Sequence, residues 1–559
     1  MNMRKQSNGL AFSMVLAALF GIFFNDDLSA QERLITGMQC EHLENPIGLD
    51  TDKPRFSWVL PEGTVSQTGY EIIVGTDSSS VMNGAGNVWN SGLVKSNKVL
   101  AEYAGTALMP YTRYWWKVSA QNENGETITS PAAFFETGLM SMSEWKGWWI
   151  TDTKDLESRP AGAFRKDFGT HGRIASAKAY IAAAGFFELY VNGKKVGDER
   201  LEPGFTRYDR RTLYITKDVT DLVRNGGNTI GVLMGNGWYN HQSVAVWDYE
   251  TAPWRHRPSF CLDLRITYED STVQTVISDK TWKTHLSEIV FNNIYTAEHT
   301  DGRLAMGKWS EPGYDDSGWS NVKLTVSPSE TIVARQMRPV RDVDTLKAVS
   351  VTKLSDKDYI FDFGQNISGV TELRIKGERG MTVSLKHGEF LKDNGHVSTE
   401  NIDYFYHSDT LKEPFATDIF TLGGNGDESF RQRFGYKGFR YVEASIDRPA
   451  VLDENNLTAY FVHSDIPTKG HIHTSSEIIN KLWKASCYSY LSNLVGYPTD
   501  CPQREKNGWT GDTNAAMDLG FYNYDPITVY EKWMDDHKDA QLPNGVYPNI
   551  IPSPGWGYD

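Results

Sequence analysis

The sequence predicts a multidomain chain in which β-sandwich modules precede a helical unit. Three observations predict this. The chain has 559 residues, too many for one core when domains run to about 100–200 residues. Short alternating strands broken by turn residues recur from Arg55 to about 466. After about Lys469 the apolar spacing changes from two residues to three and four. Hydrophobic residues at 40% and charged residues at 23% exclude wholesale disorder. A net charge of −15 argues against nucleic acid or an anionic membrane surface as partner, since both select basic patches. Cys40, Cys261, Cys487 and Cys501 are too few and too scattered for a disulfide framework, and no CxxC pair offers a zinc site.

Residues 1–30 read as a secretory signal peptide. Arg4 and Lys5 precede an apolar run from Leu10 to Phe24, and Leu28-Ser29-Ala30 supplies a small residue for cleavage. That run falls short of the ~20 residues needed to cross a bilayer. The remainder is expected to be exported, periplasmic or secreted, with no membrane span after cleavage.

Residues 31–140 form the first β unit. Phe56, Trp58 and Leu60 share one face, and Tyr70–Val74 and Tyr114–Val118 repeat the alternation, with Asn122–Gly125 as a turn. This is the pattern of a fibronectin III-like sandwich. Trp145, Trp148 and Trp149 are expected to pack between this unit and the next. The second unit, 141–335, contains Phe186–Val191, Asn192-Gly193 and Lys194–Gly197, the strongest short-range hairpin signal. Further on, Trp238, Tyr239, Trp247, Tyr249 and Trp254 crowd a stretch of weak periodicity. They fit sugar stacking and a loop folded over a core equally well. The third unit, 336–466, includes Phe361–Asn366 and the alternating Phe439 and Tyr441.

From 467 the pattern is helical. Thr474-Ser475-Ser476-Glu477 has the form of a capping box ahead of Ile478, Ile479, Leu482, Trp483, Ser486, Tyr490 and Leu494. Asp512 stands as an N-cap before Thr513–Phe521. Asp525-Pro526 pairs an N-cap with Pro at the first helical position, ahead of Tyr530, Trp533, Met534 and His537 on one face. His471 and His473 alternate as in a strand, without further nearby ligands for a metal.

The chemistry concentrates between the first two of these helices, in Pro498–Asp512. Three carboxylates, Asp500, Glu505 and Asp512, fall there with Arg504 and Trp509 on non-periodic backbone broken by Pro502, Gly508 and Gly511. Cleaving a glycosidic bond needs a protonated carboxylic acid and a second carboxylate opposite it. An apolar pocket against Trp suits the acid role. Asp and Arg suit sugar hydroxyls through charge-assisted, directional hydrogen bonds. The residue types leave open which carboxylate does what, and also leave open a solvated loop whose Asp512 merely caps a helix.

The string DCPQREKNGWTGD from Asp500 resembles the signature of the α-L-rhamnosidases with an (α/α)6-barrel catalytic domain, glycoside hydrolase family 78. The resemblance extends through CEHLENPIGLDTDKPRFSW from Cys40, ELYVNGKKVGDERLEPGFTRYDRR from Glu188, FDFGQNISG from Phe361, RFGYKGFRYVE from Arg433 and PNIIPSPGWGYD from Pro548. It implies N-terminal β-sandwich modules, fibronectin III-like and jelly-roll-like, the second of them carbohydrate-binding-like, and then the start of an all-α (α/α)6 barrel over 467–559. It also implies an inverting hydrolase that releases L-rhamnose from plant glycosides or rhamnose-containing oligo- or polysaccharides. Glu505 matches the general acid, and Asp500, Arg504, Trp509 and Asp512 match positions that hold the rhamnose ring. The family often has another acidic residue between the arginine and the glutamate, whereas here Arg504 is followed directly by Glu505. Many members carry a rhamnose- or calcium-binding β-sandwich, which leaves calcium open in a β-sandwich module here, but no ligand residues are assigned within 141–335 and so no metal or cofactor is assigned.

Twelve barrel helices need about 200 residues at about 12 per helix and 5 per connection. Residues 467–559 hold about three. The resemblance places the general base beyond Asp559, so the chain alone is expected to lack meaningful rhamnosidase activity. Two other functions fit the same sequence: a non-catalytic exported carbohydrate-binding protein derived from such an enzyme, and a different (α/α)-barrel glycosidase.

Overall fold

The computed structural model describes residues 34–244, 246–403 and 413–558. The expected signal segment lies outside the described residues. Among them, no helix is long and apolar enough to cross a membrane.

The first unit is two facing sheets. Thr36–Cys40, Arg55–Val59 and Leu100–Glu102 form a three-stranded sheet, and a six-stranded sheet is centred on Gln67–Gly75 and Arg113–Asn122. Arg113–Asn122 alternates half-buried and buried along its whole length, so Tyr114, Trp116 and Val118 enter the core with Phe56, Trp58 and Ile72. The second unit packs a seven-stranded sheet on a six-stranded one. Its hairpin forms where the sequence places it: Phe186–Val191 pairs with Lys194–Lys195, and Asn192 and Gly193 both take positive φ, 51° and 84°. Two left-handed residues in a two-residue loop match the twist of the flanking strands.

Between these units Trp145 stands edge-on to Tyr214 and Trp149 is buried, but Trp148 is 59% exposed and does not pack as expected. The rings of the 235–254 stretch resolve to core. Trp238, Tyr239, Trp247, Tyr249 and Trp254 are all 5% exposed or less, and Trp238 stacks on Phe205 at 4.7 Å.

The third unit is built on a ten-stranded sheet. It recruits Ile289–Asn292 and Glu298–Asp301, expected within the second unit, through parallel pairing of His299–Asp301 with Ile419–Thr421. Its longest strand, Asp358–Lys376, slips register against Lys437–Ile446 between Asp362 and Ile367. Gly364 turns there at φ 73°, its amide donating to Asp362 Oδ1 at 2.7 Å, and Arg440 holds the same carboxylate with two bonds of 2.8 Å. This bulge lifts Gln365 and Asn366 out of the sheet.

Three long helices follow, Glu477–Ser492, Thr510–Asn523 and Ile527–Ala540. Their starts differ from expectation. No capping box forms at Ser476. Instead Asn480 reaches back, its Oδ1 accepting from the Thr474 amide at 2.8 Å and its Nδ2 donating to the Thr474 carbonyl at 2.8 Å. Glu477 pairs with Lys481, one turn on. Asp512 lies in the first turn of its helix rather than at the cap, where negative charge still meets the positive end of the helix dipole, and Pro526 rather than Asp525 occupies the cap of the next. The first long helix buries Cys487 and Tyr490, whereas Ile478, Ile479 and Leu482 are exposed, as is Met534 on the third. His471 and His473 lie in exposed coil rather than a strand, and His471 stands edge-on to Trp483 at 4.9 Å.

Candidate functional site

The loop 498–509 links the first two long helices and closes on itself. The Asp500 amide donates to the Asn507 carbonyl at 3.1 Å, and the Asn507 amide donates to Asp500 Oδ1 at 3.2 Å. Inside this clip the Lys506 amide bonds the Cys501 carbonyl at 3.1 Å, and Lys506 itself takes a left-handed φ of 53°. A non-glycine residue there is strained and is held by its surroundings. The Tyr497 hydroxyl donates to the Lys506 carbonyl at 2.5 Å, and Lys506 Nζ donates to the Gln503 carbonyl at 3.0 Å while facing the Tyr436 ring. Burial pushes that ammonium down to about 7. Gly508 is required by contact, since a Cβ would meet the Ile551 carbonyl oxygen at 2.0 Å.

This turn projects Glu505, 9% exposed, beside the start of the second helix. Its Oε2 accepts from Trp509 Nε1 at 2.8 Å, and its Oε1 lies 3.5 Å from Arg504 Nε. Arg504 Nη1 donates to the Asn401 carbonyl at 3.3 Å. Trp509 is half-buried and meets Trp556 edge-on at 5.6 Å. Asp500, Cys501 and Glu505 bring their carboxylate and thiol atoms within 4.8 Å of one another. Burial, with the Glu505 charge adding to it, pushes Asp500 up to about 6, and burial beside Asp500 pushes the Cys501 thiol up to about 12. A thiol that keeps its proton is a poor ligand for a hard cation, which prefers an all-oxygen shell.

Four of the five residues singled out in the sequence therefore meet at one place: Asp500, Arg504, Glu505 and Trp509. Asp512 is exposed on the first helical turn, and it lines with Asp500 a cavity of about 340 Å³ between the first and second long helices.

Residues from the β units grip the loop, and sequence reasoning did not find them. Glu389 accepts from Asn366 Nδ2 at 2.6 Å, Gln503 Nε2 at 3.1 Å and Asn401 Nδ2 at 3.3 Å. On the other side Tyr249 OH lies 3.1 Å from both Asn507 Oδ1 and the Pro552 carbonyl, and Tyr295 OH lies 3.3 Å from Asn507 Oδ1. Tyr249 and Trp556 fall in stretches singled out in the sequence, but nothing local there points to their partners.

Four family profiles match the chain in succession. Residues 35–141 match the Rha78A-like N-terminal immunoglobulin domain, and residues 172–344 the α-L-rhamnosidase N-terminal domain. Residues 352–463 match the bacterial α-L-rhamnosidase concanavalin-like domain, and residues 467–559 the bacterial α-L-rhamnosidase six-hairpin glycosidase domain. An α-L-rhamnosidase of Formosa agariphila is 32% identical over 97% of this chain and 60% of its own length. Among solved structures, an α-L-rhamnosidase from Dictyoglumus thermophilum superposes with a TM-score of 0.87 at 33% identity, covering 94% of this chain and 60% of that one. A Streptomyces avermitilis α-L-rhamnosidase complexed with L-rhamnose gives 0.87 at 25% identity, covering 93% and 66%. The chain thus spans about 60% of the length of the first two relatives.

Proposed function

The chain belongs to the bacterial α-L-rhamnosidase family, and from that premise we propose that it carries the proton-donating half of a glycoside hydrolase that releases terminal α-L-rhamnose. The observation that carries the proposal is Glu505, a nearly buried carboxyl fixed by the Trp509 indole at 2.8 Å and close to Asp500 and Arg504. In this reading Glu505 gives its proton to the glycosidic oxygen as the bond from that oxygen to the anomeric carbon breaks. A water oxygen bonds the same carbon from the opposite face and loses its proton to a base. Asp500, Arg504, Trp509 and Asp512 hold the sugar. The two aspartates line one cavity, Arg504 offers a directional fork of donors, and Trp509 offers a flat wall.

In this reading the course is inverting, as the family resemblance implies, and Asp500 stands too near Glu505 to be the base. Asp500 and Glu505 oxygens within 4.8 Å leave no room for a water between them, whereas inverting pairs stand about 6.5–9.5 Å apart. Asp500 is therefore a sugar ligand in this reading, and the base is a different carboxylate. The protein is also proposed to be exported to the periplasm or beyond, to meet a rhamnose-containing glycan or glycoside.

The test is an aryl α-L-rhamnoside assay of the full-length protein with NMR detection of the first-formed anomer. The expected product is β-L-rhamnose, and Glu505→Gln should cut kcat by at least a hundredfold, within the range for loss of a general acid. Retention of the α-anomer would overturn the inverting course, and wild-type turnover by Glu505→Gln would overturn the role of Glu505.

A further inference from the structure

We propose that Lys506 is a positioning residue for the proton donor, its buried side chain fixing the turn that carries Glu505 so that the acid meets the leaving oxygen. The inference rests on the reading of Glu505 as that donor and deepens it.

Position comes first. Lys506 follows Glu505 directly and braces the turn from behind. Its amide bonds the Cys501 carbonyl at 3.1 Å and its Nζ donates to the Gln503 carbonyl at 3.0 Å, so the residue after Glu505 is tied to the chain that leads into it. Its own carbonyl accepts from the Tyr497 hydroxyl at 2.5 Å, which fastens the turn to the segment entering the loop. The Glu505 amide donates to the Cys501 sulfur at 3.4 Å, a weak acceptor, so the placement of the acid's backbone depends on its neighbour's bonds. Asp500 is anchored separately, by the Asn507 clip, and a loosened inner turn bears on Glu505 first.

Chemistry comes second. Lysine is disfavoured at this position on two counts. Its φ of 53° belongs to the left-handed region that suits glycine, and the residue is 0% exposed, so its ammonium is cut off from water. Among the described residues no ion pair joins that ammonium; the Gln503 carbonyl and the Tyr436 ring face, 5.0 Å away, hold it instead. A methionine would fill the same space without a charge, but only a donor reaches the Gln503 carbonyl. Residues that break backbone and burial preferences together gather where the strain serves a site. Fully enclosed, Lys506 cannot touch a substrate, so its effect on the reaction passes through the turn and the carboxyl that the turn carries.

Leaving-group dependence separates proton delivery from every other loss. A basic leaving oxygen needs the acid's proton in the transition state, whereas a dinitrophenolate departs without it. Lys506→Met in the full-length protein should cut kcat about tenfold or more on phenyl α-L-rhamnoside and less than about threefold on 2,4-dinitrophenyl α-L-rhamnoside, with KM for both near the wild-type values. Lys506→Gly relieves the left-handed strain but removes the ammonium, and the same split is expected. Tyr497→Phe takes only the hydroxyl from the Lys506 carbonyl and serves as the second variant should these fold poorly; its split should be smaller, about threefold on the phenyl substrate. Equal losses on the two substrates, a change confined to KM, or wild-type kcat on the phenyl substrate in any variant that folds would overturn the inference alone. Glu505→Gln is the control and should show the largest split. Equal losses there would overturn the reading of Glu505 as the acid, and the inference with it.

Discussion

Glu505 Oε2 accepts a hydrogen bond from Trp509 Nε1 at 2.8 Å, four residues along the same loop. The bond joins the proposed proton donor to the ring proposed to wall the sugar, so the two cannot move independently. Hydrogen bonds to charged groups contribute about 1.5–3 kcal/mol. Trp509→Phe keeps much of the wall but removes the donor, and kcat on an aryl α-L-rhamnoside is expected to fall about 10–100-fold in the full-length protein. A fall confined to KM would place Trp509 in binding alone.

Asp500 carries a cost to stability whose sign is fixed by its shift. Burial raises its carboxyl from the ordinary 3.8 to about 6, so the folded chain holds this proton more tightly than the unfolded chain. Stability should therefore decline as pH rises from about 4 to 6, and the deficit should persist above that window. That difference corresponds to at most about 3 kcal/mol. Asp500→Asn, which keeps an oxygen for the Asn507 amide, should raise Tm at pH 8 and leave it nearly unchanged at pH 3.5, while weakening L-rhamnose binding. An unchanged or lower Tm at pH 8 would show that the carboxylate is not strained.

Elements whose causes are local were legible in the sequence. The Asn192-Gly193 hairpin and the alternation of Arg113–Asn122 need only neighbouring residues, and both form. The site loop was legible because Asp500, Arg504, Glu505 and Trp509 lie in one string that resembles a known signature. Glu389, Asn401, Tyr249 and Tyr295 were not, since each reaches the loop from a β unit more than 100 residues away, and no periodicity marks such contacts. The cap expectations failed for a related reason. Asn480 satisfied the Thr474 amide and carbonyl and displaced the capping-box geometry that Thr474–Glu477 spelled out.

The hairpin offers a control remote from the chemistry. Gly193 sits at φ 84°, and a Cβ there would meet Glu311 Cγ at 2.6 Å. Gly193→Ala should cost about 1–2 kcal/mol from the left-handed backbone and the contact together. Thermal unfolding should show the loss while L-rhamnose affinity stays at the wild-type value.

Glu389 gathers three amide donors, two of them from the third β unit and one, Gln503, from the loop two residues before Glu505. Glu389→Gln replaces one acceptor oxygen by an NH2 group, so a donor must face a donor. We expect a loss of about 0.5–1.5 kcal/mol in stability, the scale of an ordinary hydrogen bond, and a drop of about tenfold in kcat as Gln503 loosens. Glu389→Asp keeps the charge and should recover part of kcat. Equal kcat in the two variants would assign Glu389 a purely structural role.

Tyr249 and Tyr295 reach the opposite flank of the loop and converge on one atom, Asn507 Oδ1, at 3.1 and 3.3 Å. Asn507 in turn closes the clip with Asp500 through its amide and carbonyl. The second β unit and the 289–301 segment thus set the loop's position through hydroxyls buried among apolar rings, where each bond is stronger than in water. Tyr249→Phe and Tyr295→Phe should each cost about 1 kcal/mol of stability and a few-fold in L-rhamnose affinity. Because they share an acceptor, the double variant should lose less or more than the sum of the singles, with a coupling of at least about 0.5 kcal/mol. A double-mutant cycle read in both Tm and affinity checks this. Strict additivity in affinity, with coupling in Tm only, would mean that the tyrosines brace the fold without transmitting position to Asp500.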